Sequence, residues 1–542
     1  MRRGLEIPKG KRTPLYRFFE ILPGACSYGA IILLFILSWV DPVVGAIYLF
    51  IIVASTLVKA VGVAYRTIQG YNVIERAKRV DWHRRIEDLA SPHIAFERLR
   101  DDDSKSYHFE EHLENLKIIS AMPKEYPNPE NIYHAVIVTA YNEGIEVLEP
   151  TIRAISESTF PNEHIIVILA YEERGGEPME RVARELYGKF KNSFKDFILS
   201  KHPDNLPNEI IGKGPNLTYA GERLAEYVNR YKISAENIIV TSLDSDNRLH
   251  PKYLDAVAYE FITHPNRQRL SYQPVSIFTN NIWDAPAPTR VVAVSNSFFN
   301  VISTMRPHAL RNFASHSQPL QALIAMNFWS KHTIVEDGHQ YWRSLFFFGG
   351  DYSVLPIRIP IYQDAVLDKT LWRTVKAQFV QVRRWYYGAS DVAYVGVRLF
   401  TDRKHRPMPF WQLFPRFLRL LDGHITLAIL APIVAFGGWV PMIMNVSSHN
   451  MIAYNLPNIV SIVETFASVG IIISVLVSFK MLPKRPARYR KSRGILMVLQ
   501  WILMPVTSIL YQSIAAFYAQ TRLMLGRYME KFDVTKKVVK KE

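Results

Sequence analysis

Apolar positions along this chain fall into two regimes. Residues 21–40 read ILPGACSYGAIILLFILSWV and carry no charge; a run of that length spans a hydrocarbon core of about 30 Å. A second run, Val43 to Tyr65, follows a turn at Asp41-Pro42. Only Lys59 interrupts it, near its end, where a lysine can snorkel. Apolar runs resume near 420–446, 457–479 and 494–521. Between these sets the pattern changes to short β-branched runs alternating with segments of helical spacing.

Three of the short runs read as buried strands: Ala135 to Ala140 (AVIVTA), His164 to Ala170 (HIIVILA) and Asn237 to Leu243 (NIIVTSL). Val147 to Ser158 and residues 176–194 have helical spacing. Strands alternating with helices predict a Rossmann-like α/β sheet with parallel strands, whose ligands sit at the strand C-terminal ends. The polar residues just after the strands are therefore the first places to look for chemistry. They are Tyr141-Asn142-Glu143, Tyr171-Glu172-Glu173-Arg174 and Asp244-Ser245-Asp246.

Charge bears on topology. The net charge is +16, and the basic residues crowd beside apolar runs. Arg2, Arg3, Lys9, Lys11, Arg12 and Arg17 precede the first run, and Lys484 to Arg493 precede the last. That is how cytosolic flanks hold a membrane protein against anionic lipid. No nucleic-acid-binding signature accompanies the charge, so no nucleic-acid partner is expected. The single cysteine, Cys26, excludes an internal disulfide framework and a cysteine-based zinc cluster. The loop between the first two runs lacks Lys and Arg, so this hairpin enters from the cytosol and returns to it. The stretch Asn445 to Asn455 lacks them too and is expected outside; its Asn445-Val446-Ser447 also fits a glycosylation acceptor, a pattern frequent by chance.

Five spans are expected. The organisation is a basic segment with two helices over 1–65, a cytosolic domain with interfacial helices over 66–410, about three membrane segments over 411–521 and a basic tail over 522–542. Parity puts the C-terminus outside if the last run crosses once. The basic tail and the break at Pro505 fit a re-entrant path instead.

Four clusters carry candidate chemistry. Asp244 and Asp246, spaced i, i+2 at a strand end, can both face one hard cation, Mg²⁺ or Mn²⁺, which bridges to phosphate oxygens. Alone, such a pair is more often a turn. Gly212-Lys213-Gly214-Pro215-Asn216 offers glycines for close backbone approach and a lysine for phosphate, or a solvated turn. Glu336-Asp337 offers a general base for a sugar hydroxyl, or a helix N-terminal acidic pair, with Arg343 six residues on. Gln381-Val382-Arg383-Arg384-Trp385, on an expected amphipathic helix, offers an arginine for a diphosphate and an indole face for a sugar, or plain interfacial anchoring.

In this order, TAYNEG (139–144), GKGPN (212–216), LDSDN (243–247), VEDGHQYWR (335–343) and QVRRW (381–385) resemble the membrane-embedded family 2 glycosyltransferases, the group of cellulose, hyaluronan and chitin synthases. Each motif is weak alone. The ordered set, flanked by membrane runs, covers most of the chain. The resemblance implies a GT-A fold inserted between transmembrane helices, and inverting, metal-dependent transfer of a hexose from a UDP- or GDP-sugar. It places Tyr141, Glu143 and Glu172 near the nucleoside, and Lys213, Gln381 and Arg384 at the diphosphate. Asp244 and Asp246 serve the diphosphate and its Mg²⁺ or Mn²⁺. Asp337 is the base, positioned by Glu336, and Trp385 stacks on the acceptor. It also implies a multi-pass protein of the plasma membrane, working on a growing polysaccharide or glycan among membrane lipids.

Two stretches depart from the family pattern. Tyr171-Glu172-Glu173-Arg174 stands where an Asp-Asp pair is usual, which touches nucleotide choice. Phe313 to Gln318 stands where a Gly-Ser element is usual, which touches donor or acceptor choice. Two other readings stay open: a single-transfer enzyme on a lipid-linked acceptor, and a catalytically silent subunit of a glycan export assembly.

Overall fold

The computed structural model describes residues 5–102, 106–401, 405–445 and 451–531. The Val446-Ser447 half of the glycosylation pattern, Arg2, Arg3 and the tail from 532 onward lie outside the described residues.

The α/β sheet expected between apolar helices is what the chain forms. It has eight strands: β1 (Tyr133–Ala140), β2 (Ile165–Glu172), β3 (Asp196–His202), β4 (Ile238–Asp244), β5 (Arg248–Leu249), β6 (Leu270–Phe278), β7 (Ser317–Pro319) and β8 (Ser353–Gln363). Their order is β3-β2-β1-β4-β7-β6-β8-β5. The first four run parallel. Strand β7 pairs antiparallel with both β4 and β6, so the sheet is mixed.

Period-two alternation explains why the central strands are buried on both sides. Val136, Val138, Val167, Leu169 and Ile239 point into one hydrophobic core. Ala135, Ile137, Ile166, Ile168 and Val240 point into the other, where the helix Lys213–Tyr231 lays down Leu217, Ala220, Leu224 and Val228. Each such aliphatic side chain contributes roughly 1.5–3 kcal/mol by leaving water. This two-faced burial holds the strand ends level. Asp244 is in register with Thr139, Ala140 with Tyr171, and Glu172 with His202.

Among the described residues, four helical stretches are long and apolar enough to cross a membrane: Pro14–Val40, Pro42–Arg79, Phe410–Met444 and Arg493–Met524. The apolar helix Met451–Met481 lies between the last two. Asp41 alone separates the first pair. It ends one helix, and its carboxylate accepts from Val43 N at 2.7 Å to start the next, with Pro42 in the first turn.

The last stretch is a single helical path without a hairpin, passing through a 3₁₀ turn at Gln500–Leu503 and a π segment at Ile509–Ile514. Both of its ends rest on the sheet domain or on the first turn of the first helix. At the start, Arg493 Nη2 donates to Trp283 O at 3.0 Å and Arg290 Nε to Gln500 Oε1 at 2.6 Å. At the end, Arg17 donates to Leu523 O and Met524 O at 2.9 and 2.8 Å, and Lys531 forms a parallel bridge with Ile211. Arg17 belongs to the first turn of the first helix, whose Tyr16 and Phe19 pack with Tyr341, Trp342 and Leu345 of the sheet domain.

Candidate active site

The eleven residues to which the resemblance gives a role line one cavity of about 790 Å³ at the level strand ends: Tyr141, Glu143, Glu172, Lys213, Asp244, Asp246, Glu336, Asp337, Gln381, Arg384 and Trp385. Strands β1, β2 and β4 deliver the first two clusters and the aspartates. The helix Glu336–Phe347 delivers its acidic pair from its first turn. The helix Leu371–Tyr386, capped by Thr370 accepting from Arg373 N at 3.3 Å, delivers Gln381, Arg384 and Trp385.

Lys213 ties the two carboxylate groups together. Its Nζ lies 2.8 Å from Asp244 Oδ1, 3.0 Å from Asp337 Oδ2 and 3.8 Å from Glu336 Oε1. Burial opposes its charge, but these carboxylates more than restore it, so the proton is held more firmly than on an ordinary lysine. Burial, reinforced by the Asp337 charge, pushes the Glu336 carboxyl well above the usual range, against Lys213 and Arg384. A protonated Glu336 can donate a hydrogen bond beside Asp337. The GKGPN stretch is no solvated turn: Gly212 precedes the helix and Lys213 is its first residue, buried. Gly214 is required there, since a Cβ would stand 2.3 Å from Ser330 O.

At the β1–β2 end, Glu143 turns back on its own loop and accepts from Tyr141 N and Asn142 N at 2.7 and 3.2 Å. Arg174 lies over the Tyr141 ring, 5.3 Å from its centroid. Glu172 is buried, forms an ion pair with Arg174 Nη2 at 2.9 Å and accepts from His202 Nδ1 at 3.1 Å. Burial lowers the His202 pKa, but Glu172 and Glu209 outweigh it and push it up to about 9. On the opposite wall, Gln381 accepts from Gln378 Nε2 at 3.1 Å, and Trp385 lies 6.3 Å, centroid to centroid, from Phe278.

Not every sequence candidate reaches the cavity. Arg343 is buried elsewhere, with Nη2 2.8 Å from Glu6 Oε1, where it ties the N-terminal segment to the domain. Arg383 points at Tyr518. Sequence reasoning passed over His202 and Glu209, because strand β3 was not drawn and so nothing placed His202 beside Glu172. It also passed over His316, whose Nδ1 is 3.8 Å from Asp337 Oδ1. His316 lies inside the stretch that departs from the family pattern, and that was its only signal.

Among the described residues, no group of three His, Cys, Asp or Glu side chains could hold a metal ion. A cation at Asp244 and Asp246 would take its other ligands from outside the protein. That donor set suits Mg²⁺ or Mn²⁺ arriving with a diphosphate, since small hard cations combine one or two carboxylates with phosphate oxygens and water. Asp246 is preset for such a role: its Oδ2 accepts from Asp364 N at 3.3 Å and its carbonyl from Asn280 Nδ2 at 3.0 Å.

No protein-family model matches the chain, and no curated protein sequence matches it. Solved structures give distant likenesses. A mannosyltransferase from Pyrobaculum calidifontis, in complex with GDP-Man and Mn²⁺, is 13% identical with a TM-score of 0.40, over 81% of this chain and 100% of that one. Residues 1–349 of S. aureus TarS, in complex with UDP-GlcNAc, are 13% identical with a TM-score of 0.36, over 73% and 93%. GalNAc-T7 with UDP, GalNAc and Mn²⁺ is 10% identical with a TM-score of 0.30, over 54% and 58%. Likeness this remote assigns this chain no donor, metal or acceptor.

Proposed function

We propose that this chain is a membrane-embedded, inverting glycosyltransferase of the GT-A, family 2 type. It moves a sugar from a UDP- or GDP-sugar to a glycan or lipid-linked acceptor, with its sheet domain on the cytosolic side of the plasma membrane. One observation carries the reading: a carboxylate at a helix start and an aspartate pair at a strand end meet in one cavity, joined by a buried lysine.

Asp337 takes the proton of the acceptor hydroxyl as that oxygen attacks the anomeric carbon. The bond from that carbon to the β-phosphate oxygen breaks, and the nucleoside diphosphate leaves from the opposite face. Glu336, holding its proton, orients Asp337. Lys213 and Arg384 meet the diphosphate charge, and Gln381 fixes its position. Tyr141, Glu143 and the Glu172–His202–Arg174 group form the wall for the base and ribose. Asp244 and Asp246 would hold Mg²⁺ or Mn²⁺, which neutralises charge on the leaving group. Trp385 gives the acceptor ring a flat face. The cavity continues to Leu427, Thr507, Tyr511 and Gln512 on the apolar segments, which favours an acceptor arriving from the membrane. Such a lining serves a translocated polymer and a lipid-borne acceptor alike.

The test is nucleoside diphosphate release from a panel of UDP- and GDP-sugars, by protein in lipid nanodiscs with Mn²⁺ or Mg²⁺. At least one donor should be turned over. Asp337→Asn should bind that donor with little change, because Asp244 still anchors Lys213 at 2.8 Å, while turnover falls by about 10²–10⁴. Undiminished turnover in Asp337→Asn, or no nucleotide-sugar binding by the wild type, would overturn the reading.

A further inference from the structure

The cavity holds two cations that none of these roles uses, Arg311 and Lys531. Arg311 lines it, in the loop that follows the helix Ala287–Thr304. Among the described residues, its guanidinium makes no hydrogen bond and no ion pair. Its contact is with the face of Trp342, 5.8 Å from the ring centroid. Its donors are therefore left to whatever enters the cavity, and leaving them unmet there is costly.

The loop is fixed on both sides of this arginine's neighbours. Ser271 Oγ donates to Asn312 Oδ1 at 3.0 Å, and Phe313 N to Gln273 Oε1 at 2.8 Å. Asn312 O lies 4.0 Å from where a Cβ on Gly338 would stand, and His316 closes on Asp337 from the other end of the loop. The arginine is thus held beside the helix turn that carries Asp337.

One carboxylate and one further arginine act on Arg311. Among the described residues, Asp391 is the one carboxylate facing Arg311, and it is committed to His339 Nδ1 at 2.6 Å. Arg419, on the apolar stretch Phe410–Met444, faces both Arg311 and Arg306, and Arg66, on Pro42–Arg79, faces Arg306 as well. Arg311 and Arg306 thus share a cationic neighbourhood with residues of two apolar helices. His424 also lines the cavity, with its buried Nδ1 unpaired.

We propose that Arg311 seats the phosphate of a lipid-linked acceptor, presenting the attached sugar's hydroxyl to Asp337. The proposal rests on the glycosyltransferase reading above and narrows its acceptor. A guanidinium matches phosphate bidentately. The further arginines on the apolar stretches, Arg419 and Arg66, suit a phosphate carried on an apolar chain better than a single carboxylate.

The experiment uses full-length protein in phosphatidylcholine nanodiscs, saturated with the donor found above. The acceptors are N-acetylglucosamine on undecaprenyl diphosphate, the same sugar on a neutral dodecyl chain, and a glucuronate oligosaccharide. The wild type should show a KM for the diphosphate-linked acceptor lower than for the neutral one by on the order of thirtyfold. Arg311→Gln should erase that difference and Arg311→Lys should keep part of it. Donor Kd should be unchanged in both variants, which shows that they are folded. Equal KM for charged and neutral acceptors in the wild type, an unaltered preference in Arg311→Gln, or preference for the glucuronate oligosaccharide would each overturn the proposal. Replacing the discs with phosphatidylglycerol separates the two sources of phosphate. Competition lost in Arg311→Gln supports a phosphate seat, whereas a response to disc lipid with none to acceptor shows a bulk headgroup site and overturns the acceptor role. Wild-type protein that binds no donor would instead remove the glycosyltransferase reading itself.

Discussion

His202 shows how a single side chain ties this site to solution conditions. Two carboxylates raise its pKa to about 9, from an ordinary 6.5. A base whose pKa is higher in the folded state stabilises that state fully below its unfolded pKa and loses the effect as pH rises through the folded one. The melting temperature of the wild type should therefore fall between pH 6.5 and 9 relative to His202→Gln, which lacks the titrating group. Parallel profiles in that window would remove His202 as the cause. The same residue marks what sequence reading can reach. Asp244, Asp246, Asp337 and Arg384 stand in motifs or after strong strand runs, so their convergence was legible. His202 acts through register across a strand with mixed polarity, DFILSKH, and Arg311 acts through having no partner, and neither property is written in local sequence.

At the scale of elements, the helix Lys213–Tyr231 is the part on which geometry depends most. Its first turn approaches the backbone of Ser330 so closely that a Cβ on Gly214 would lie 2.3 Å from Ser330 O and 3.2 Å from Glu336 Cβ. Backbone cannot yield as a side chain end can, so Gly214→Ala should cost about 1–3 kcal/mol, lower the melting temperature and weaken donor binding by displacing Lys213. Gly188→Ala is the control: nothing lies within 4 Å of its Cβ, and it sits inside the helix Gly176–Phe190, where alanine is the better helix former. Equal behaviour of the two variants would argue against close approach as the reason for Gly214. The strands β1, β2 and β4 were legible because their runs are unbroken and β-branched. The start of this helix was not, because Gly-Lys-Gly-Pro carries turn residues, and only packing against the Ser330 segment makes them helical. Strands β5 and β7 are two and three residues long and leave no periodic trace.

At the scale of the whole molecule, the last apolar stretch decides the topology. Length and composition qualify it to cross a membrane, yet both ends contact the sheet domain or the turn packed on it. Cysteines placed at Ser492 and Arg527, with Cys26 replaced, should thus react with an impermeant reagent from the same side as one placed at Lys124 on the sheet domain. Labelling of position 527 from the opposite side alone would show a crossing segment. The first helix adds a consequence in time. Glu20 is buried, and its carboxylate is shared by Arg12, Arg17 and the hydroxyl of Tyr528. Tyr528 is synthesised some five hundred residues after Glu20. The helix Pro14–Val40 therefore leaves the ribosome with an acid whose last partner does not yet exist, and the packing that buries Glu20 is completed only once Tyr528 has been made.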